Sequence, residues 1–358
     1  MGGKEKHIIL DIDLNIRLFH NCVIDMLFKN KKILITGGTG SLGQALTKHL
    51  LNEEVDIIRI FSRNENKQTT MESEFQDSRL RFLIGDIRDL PRLNRALEDI
   101  DIVFHAAALK HVPVVEYNPF EAVKTNVIGS QNVIDACIQN DVKIVVGVGT
   151  DKAVSPLNTY GATKLLMEKL FVSASNYTNP EKHKTRLIAL RYGNVLGSSG
   201  SVVPKFIQQI KNNEKITITD YNMTRFSLTM NEALKFILDA TMQGKGSEIF
   251  VPKLNAYSIA DIKDALFGVL RNTGEEKISI RTGEKINEVL INKDEMRYTW
   301  EFENKYIIFK PSLSHNEIKK SYPGIKKVEN NEEYSSEQVK RISVEQLKDI
   351  IVKNGLLD

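Results

Sequence analysis

The chain has 358 residues, 41% hydrophobic and 27% charged, with a net charge of +3. That length exceeds what one core usually fills, so a large domain with a smaller lobe is expected, and the charge is too small to argue for a nucleic-acid partner. The two cysteines, Cys22 and Cys137, give no disulfide framework and no metal-ligand pair; no apolar run approaches the roughly 18 residues of a membrane helix, so a cytoplasmic protein with no membrane partner and no metal is expected.

Residues 1–30 mix acids and bases through their apolar positions and do not read as a signal peptide. Leu14, Leu18, Ile24, Met26 and Leu27 outline a short, imperfect amphipathic helix. The run MLFKNKKILITGG starts at Met26, so residues 1–25 are expected to be either an appendage or upstream sequence outside the ancestral start. From Lys31 a rhythm sets in. Apolar runs at 31–36, 57–61, 80–84, 102–105, 143–148 and 187–190 alternate with helix-forming stretches. Short buried strands between helices predict an α/β fold, a Rossmann-like doubly wound parallel sheet over residues 31–192. After Tyr192 the rhythm loosens. Residues 193–358 are expected to form mainly a smaller C-terminal substrate-binding lobe with returns to the sheet. Its expected elements are a helix at 204–211, strands at 216–219 and 306–309, a polar surface excursion over 325–340, and a last helix from Val344.

The first strand runs into TGGTGSLG (36–43). Gly37, Gly40 and Gly43, with Ser41 and Leu42 between them, form a loop between a strand and a helix. Glycines there allow a tight turn and close approach of a pyrophosphate to free N–H groups at the helix N-terminus. Which dinucleotide binds is set after the second strand. There the chain reads FSRNENK, placing Ser62, Arg63, Asn64 and Lys67 where an acid would hold the ribose of NAD. A hydroxyl and a guanidinium suit the 2′-phosphate of NADP, while Glu65 leaves NAD open. Asp86 and Ile87 close the third strand, where the acid can accept from an adenine amino group or cap a helix. Ala106, Ala107 and Ala108 end the fourth, small enough for a nicotinamide ribose to lie against them.

Tyr160 and Lys164 stand four apart in YGATK, one helical face. A neighbouring ammonium lowers a phenol's pKa and fits it to take a proton from an alcohol. Thr150 supplies the hydroxyl of a Thr–Tyr–Lys triad. Asp151 and Lys152 follow it at the carboxyl end of a strand, adding an acid and a base that an elimination of water needs and a simple oxidation does not. A solvated ion pair is the plainer alternative.

TGGTGSLG, AAALKHVPVVEYNP, TDKAVSPLNTYGATK and RYGNVLGSSGSVVP, with ITDYNMTRFSLTMNEA and GSEIFVPK, resemble the extended short-chain dehydrogenase/reductase superfamily over residues 27–310. More narrowly they resemble the 5-inverting UDP-N-acetylglucosamine 4,6-dehydratases of the pseudaminic acid type. The configuration-retaining sister group typically has Met at the position of Tyr160, and many of its members carry membrane spans. Capsular dehydratases usually read Lys-Gln-Val-Pro where this chain has Lys110-His111-Val112-Pro113. The first thirty residues and the tail after 310 depart from the pattern and leave the pathway open.

The resemblance implies an NADP-dependent hydro-lyase for a UDP-sugar. Tyr160, helped by Thr150 and Lys164, would take the C4 hydroxyl proton as NADP oxidises C4. Lys152 would then remove the C5 proton and Asp151 protonate the departing C6 hydroxyl. It also implies that Lys110 touches cofactor and sugar, and that Asn194, Ser199, Ser201, Val202 and Val203 lie against the UDP phosphates. Thr224, Arg225, Arg281 and Glu284 are implied for pyrophosphate and ribose. A homo-oligomer, dimer or hexamer, is implied as well. Alternatives are a C5-retaining dehydratase, a sugar-nucleotide 4-epimerase, which needs no elimination pair, and an inactive dinucleotide sensor, which would be expected to lose Tyr160 or Lys164.

Overall fold

The computed structural model describes residues 26–357 apart from positions 180, 199 and 282. Most of the expected N-terminal helix, Cys22 and Ser199 therefore lie outside the described residues. Six strands come first: β1 (Lys32–Thr36), β2 (Ile57–Ser62), β3 (Leu80–Ile84), β4 (Ile102–His105), β5 (Ile144–Val148) and β6 (Arg186–Leu190). All pair in parallel. The main helices between them are α1 (Ser41–Leu50), α2 (Glu65–Phe75), α3 (Leu90–Leu97), α4 (Gly129–Gln139) and α5 (Thr159–Ser173). Successive side chains of a strand point to opposite faces. In β1, Ile33 and Ile35 accordingly enter one core cluster and Leu34 enters the other. A sheet buried on both faces explains why its strands read as unbroken apolar runs.

The chain then forms β7 (Asn194–Val195), α6 (Val202–Lys211), β8 (Ile216–Ile218), β9 (Thr224–Leu228), α7 (Met230–Gln243) and β10 (Ile249–Pro252). Next come β11 (Asn255–Ser258), α8 (Ile259–Val269), β12 (Glu275–Lys277), β13 (Val289–Ile291), β14 (Thr299–Phe302), β15 (Lys305–Ile308), β16 (Lys326–Lys327), β17 (Tyr334–Ser335) and α9 (Val344–Lys353). Four of these strands extend the main sheet, whose order is β3-β2-β1-β4-β5-β6-β10-β15-β14-β16. β10 continues it in parallel, and β15, β14 and β16 add antiparallel strands.

A third core lies under the lobe. Val203, Phe206, Ile207 and Ile210, spaced along one face of α6, meet Ile262 and Leu266 of α8 and Leu347 and Ile351 of α9. Each such burial contributes about 1.5–3 kcal/mol over an exposed side chain. The segment 325–340 is exposed over 329–333, as expected of a surface excursion, but is anchored at two points. β16 pairs with β14, β17 pairs with β13, and Ser336 is wholly buried. The Ser336 hydroxyl bonds to the buried Thr224 and to the Glu288 N–H, a use that composition does not reveal.

The strand order reverses between β1 and β4, the crevice where open α/β sheets place their ligands. Among the described residues no helix is long and apolar enough to cross a membrane.

Candidate active site

The loop from β1 to α1 is shaped by its glycines. Gly37 has φ +68°, and a Cβ on it would stand 2.8 Å from the Ala107 Cα; one on Gly43 would stand 2.5 Å from the Gly38 Cα. Gly40 takes the N-cap position of α1 without a side-chain cap, and the first turn carries no acid. The uncapped N–H groups and the positive end of the helix dipole thus face the crevice, a setting that fits a pyrophosphate.

A cleft of about 640 Å³ runs from this loop along the carboxyl ends of the strands. Of the residues expected to hold cofactor, Gly37, Gly40, Ser41, Leu42 and Gly43 line it at the loop. Ser62, Arg63, Asn64, Lys67, Asp86 and Ile87 line it past β2 and β3, and Ala106, Ala107, Ala108 and Lys110 past β4. Ser62 is nearly buried, and its Oγ accepts from Gln68 Nε2 at 3.0 Å, which leaves the hydroxyl proton free to donate. Arg63 is about half exposed, its Nη1 3.8 Å from Asp86 Oδ2. Asn64 Oδ1 caps α2 through the Lys67 N–H. The Asp86 carboxylate is already gripped by Arg88, at 2.9 and 2.7 Å, which holds its pKa below the usual range against the effect of partial burial.

At the far end of the cleft stand Thr150, Asp151, Lys152, Tyr160 and Lys164. Two local devices bring them together. Asn158 caps α5 by accepting from the Gly161 N–H at 2.8 Å. Gly161 lets that helix press on the Asp151–Ala153 turn, since a Cβ there would fall 2.1 Å from the Lys152 carbonyl oxygen. Tyr160 is thereby held beside Thr150 and Lys152. Burial pushes the phenol up to about 12, opposed first by the Lys152 ammonium and then by the Thr150 hydroxyl.

This differs from the expected pairing of Tyr160 with Lys164. Lys164 Nζ donates to the Val148 carbonyl at 2.5 Å and lies 3.2 Å from Met167 Sδ. Burial lowers its pKa to about 8. The cation acting on the phenol is Lys152, because the Lys164 stem runs toward β5.

Asp151 is buried, and its Oδ1 accepts from Thr150 Oγ1 at 2.9 Å and from Lys152 Nζ at 3.1 Å. Lys152 Nζ also reaches Glu288 Oε1 at 3.3 Å and Asn194 Oδ1 at 3.4 Å. Burial and the charge of Glu288 raise the Asp151 pKa, while the Lys152 and Arg225 cations lower that of Glu288 against its burial. The two carboxylates hold Lys152 above its ordinary value despite burial. Glu288 was not singled out in the sequence. It stands 136 positions from Lys152 at the entry to β13, and an acid inside the run INEVLIN was the one available hint.

Asn194 and Ser201 line the cleft; Val202 and Val203 open α6. The remaining substrate residues implied by the resemblance sit elsewhere. Thr224 Oγ1 is taken by Asn287 Oδ1 and Ser336 Oγ, each at 2.7 Å. Arg225, the implied pyrophosphate contact, is turned inward instead. Its Nη1 donates to the Thr224 and Ile286 carbonyls and its Nη2 to the Lys285 carbonyl, at 2.8, 3.0 and 3.0 Å. A buried guanidinium is satisfied by whatever acceptors the fold supplies. Arg281 is exposed, and its N–H donates to Glu284 Oε2 at 3.3 Å.

A parallel sheet with this crossover, an uncapped glycine loop at the reversal, and a Tyr160/Lys164 helix against the same cleft define an extended short-chain dehydrogenase/reductase. The chain belongs to the family described as polysaccharide biosynthesis protein, whose model matches residues 33–310. It is 48% identical over 289 residues to the UDP-N-acetylglucosamine 4,6-dehydratase (inverting) of Campylobacter jejuni subsp. jejuni, covering 80% of this chain and 85% of that protein. It is 40% identical to the UDP-glucose 4-epimerase of Rickettsia bellii, over 91% of this chain and 96% of that one. The X-ray structure of Pen from Bacillus thuringiensis superposes with a TM-score of 0.85 at 40% identity, covering 92% of this chain and 99% of that one. The chain is thus a member of an enzyme family of the nucleotide-sugar dehydratase type.

Proposed function

We propose that the protein carries out the 4,6-dehydration of UDP-N-acetylglucosamine, oxidising C4 and eliminating water across C5–C6 with inversion at C5, using NADP that stays bound and is regenerated each turnover. The observation carrying this reading is the buried Asp151 paired with the partly exposed Lys152 beside Tyr160 and Thr150. Oxidation alone, or 4-epimerisation, uses the tyrosine without a second acid and base. Gly37, Gly40 and Gly43 of the loop and the Ser62 donor fit NADP, which when bound would supply the hydride acceptor for C4 and the hydride donor for C6.

Tyr160 takes the C4 hydroxyl proton, with the Lys152 ammonium and Thr150 hydroxyl stabilising the phenolate. Lys164 is placed to hold the nicotinamide ribose once its ammonium leaves the Val148 carbonyl. The C4 ketone acidifies C5–H, which Lys152 removes in its neutral form. Asp151, favoured in its protonated form by burial, delivers a proton to the C6 hydroxyl as it leaves. Asn194, hydrogen-bonded to Lys152, aims the amine and faces the sugar. Lys110 on the cleft rim and Ser201 are assigned to the UDP-sugar, and Ser199 to the phosphates. A homo-oligomeric, cytoplasmic enzyme accords with this reading.

Proton NMR of a UDP-N-acetylglucosamine incubation in deuterium oxide tests it. The first product should be the 4-keto-6-deoxy sugar of L-arabino configuration carrying deuterium at C5. A D-xylo ketone formed first would make the enzyme a retaining dehydratase, and a 4-epimer without loss of water would make it an epimerase.

A further inference from the structure

An amine that must act as a base sits here as an ammonium between two carboxylates, so its proton needs a destination. Lys152 Nζ is 3.1 Å from Asp151 Oδ1 and 3.3 Å from Glu288 Oε1. The second oxygen of each acid, Asp151 Oδ2 and Glu288 Oε2, is buried with no hydrogen-bond partner among the described residues. Two buried acids sharing one cation do not both ionise readily, because like charges in a low-dielectric site repel. Glu288 itself is fixed from behind: its N–H donates to Ser336 Oγ at 2.9 Å, and its carbonyl accepts from the Ser336 N–H at 2.8 Å. It does not line the cleft.

We propose that Glu288 is a positioning residue of the elimination step, receiving the proton that Lys152 gives up and keeping a proton on Asp151. The inference rests on the Asp151–Lys152 reading above. The exchange is Lys152–NH3⁺ with Glu288–COO⁻ giving Lys152–NH2 and Glu288–COOH. The free amine then takes the C5 proton and returns to ammonium, while Asp151–COOH gives its proton to the leaving hydroxyl and becomes carboxylate. One water departs, and total charge is unchanged.

Other charged and titratable groups facing the cluster set its balance. Arg225 of β9 lies 3.7 Å from Glu288 and 3.8 Å from Glu284. Lys285, on the segment before Glu288, and the phenols of Tyr160 and Tyr257 also feel its charge. Arg225 and Lys285 favour the Glu288 carboxylate, while burial and the Glu288 charge raise the Asp151 pKa, so of the two acids Asp151 is the one the site favours in its protonated form.

The test is the pH dependence of dehydration by the intact enzyme, wild type against Glu288→Gln and Glu288→Asp. Removing the Glu288 charge releases the Asp151 proton at lower pH. In Glu288→Gln the kcat plateau should fall, because no acid takes the Lys152 proton, and the alkaline limb should move acid-ward, each unit of displacement costing about tenfold in rate above the limb. KM should stay within about twofold of wild type, and Glu288→Asp should bring the limb back. A lower melting temperature with an unmoved limb would show a structural role only and overturn the proposal. Infrared difference spectra of the wild type give a second readout that does not depend on Glu288→Gln folding. They should contain a protonated-carboxyl band at neutral pH that Asp151→Asn removes, and a spectrum lacking that band overturns the proposal. A wild type that eliminates no water removes the underlying reading; one that does so beside an unchanged Glu288→Gln limb removes this inference alone.

Discussion

Arg191 and Glu168 form a wholly buried ion pair, Nη2 to Oε2 at 2.7 Å, directly beneath the strand ends that carry the site. The same guanidinium is bidentate to Glu295, at 2.9 Å from each oxygen, and donates to the Leu290 carbonyl. The end of β6, α5, β13 and the turn of helix after β13 are tied together by one side chain. Gly149 belongs to this packing: a Cβ on it would stand 2.2 Å from the Leu190 carbonyl oxygen and 2.6 Å from Glu168 Oε1.

Arg191→Leu should destabilise the fold by about 3–5 kcal/mol, since it strands Glu168 as an uncompensated buried charge. Chemical denaturation measures it, and adding Glu168→Leu should recover part of the loss. A cost near zero for the single variant would mean that Glu168 is neutral in the folded protein.

Lys164 gives a pH dependence of opposite sense to the usual buried carboxylate. Its folded pKa of about 8 lies below its ordinary 10.5, so between those values the unfolded chain binds the proton and the folded chain does not. The unfolded state then holds more protons, and stability rises with pH through that window. Below pH 8 the burial penalty is present in full. Lys164→Met should remove this component, making the variant more stable relative to wild type below pH 8 by up to about 3 kcal/mol. Denaturation curves across pH 7–10, run without cofactor, read the difference; a pH-independent difference would place the lysine pKa near its ordinary value.

Arg63→Ala should weaken NADP binding by about 1.5–3 kcal/mol, the scale of a hydrogen bond to a charged group, and change NAD binding much less. Calorimetric titration with both dinucleotides checks this. Equal losses would assign Arg63 to the shared part of the cofactor.

Lys152→Ala should abolish dehydration and, because it also removes the cation beside the Tyr160 phenol, slow C4 oxidation without abolishing it, so reduced-nicotinamide absorbance should build up slowly on adding substrate. Tyr160→Phe should show neither dehydration nor that absorbance. Near wild-type dehydration by Lys152→Ala would return the pair to the status of a structural ion pair.

The sequence by itself determined the strands and the loop. Apolar runs of four to six residues between helices have few other uses, and a glycine loop between strand and helix has one common ligand class. The step from YGATK to a helical face was local as well, because four residues span one turn. What the tertiary structure decided lies in pairings between distant segments. Glu288 meets Lys152 across 136 positions, and Ser336 meets Thr224 across 112. No periodicity encodes such a meeting, since it depends on how β9, β13 and β17 stack behind the cleft. The inward turn of Arg225 and the attachment of Lys164 to Val148 have the same origin: a buried donor goes to the acceptors the fold has placed nearest, whatever the motif around it suggests.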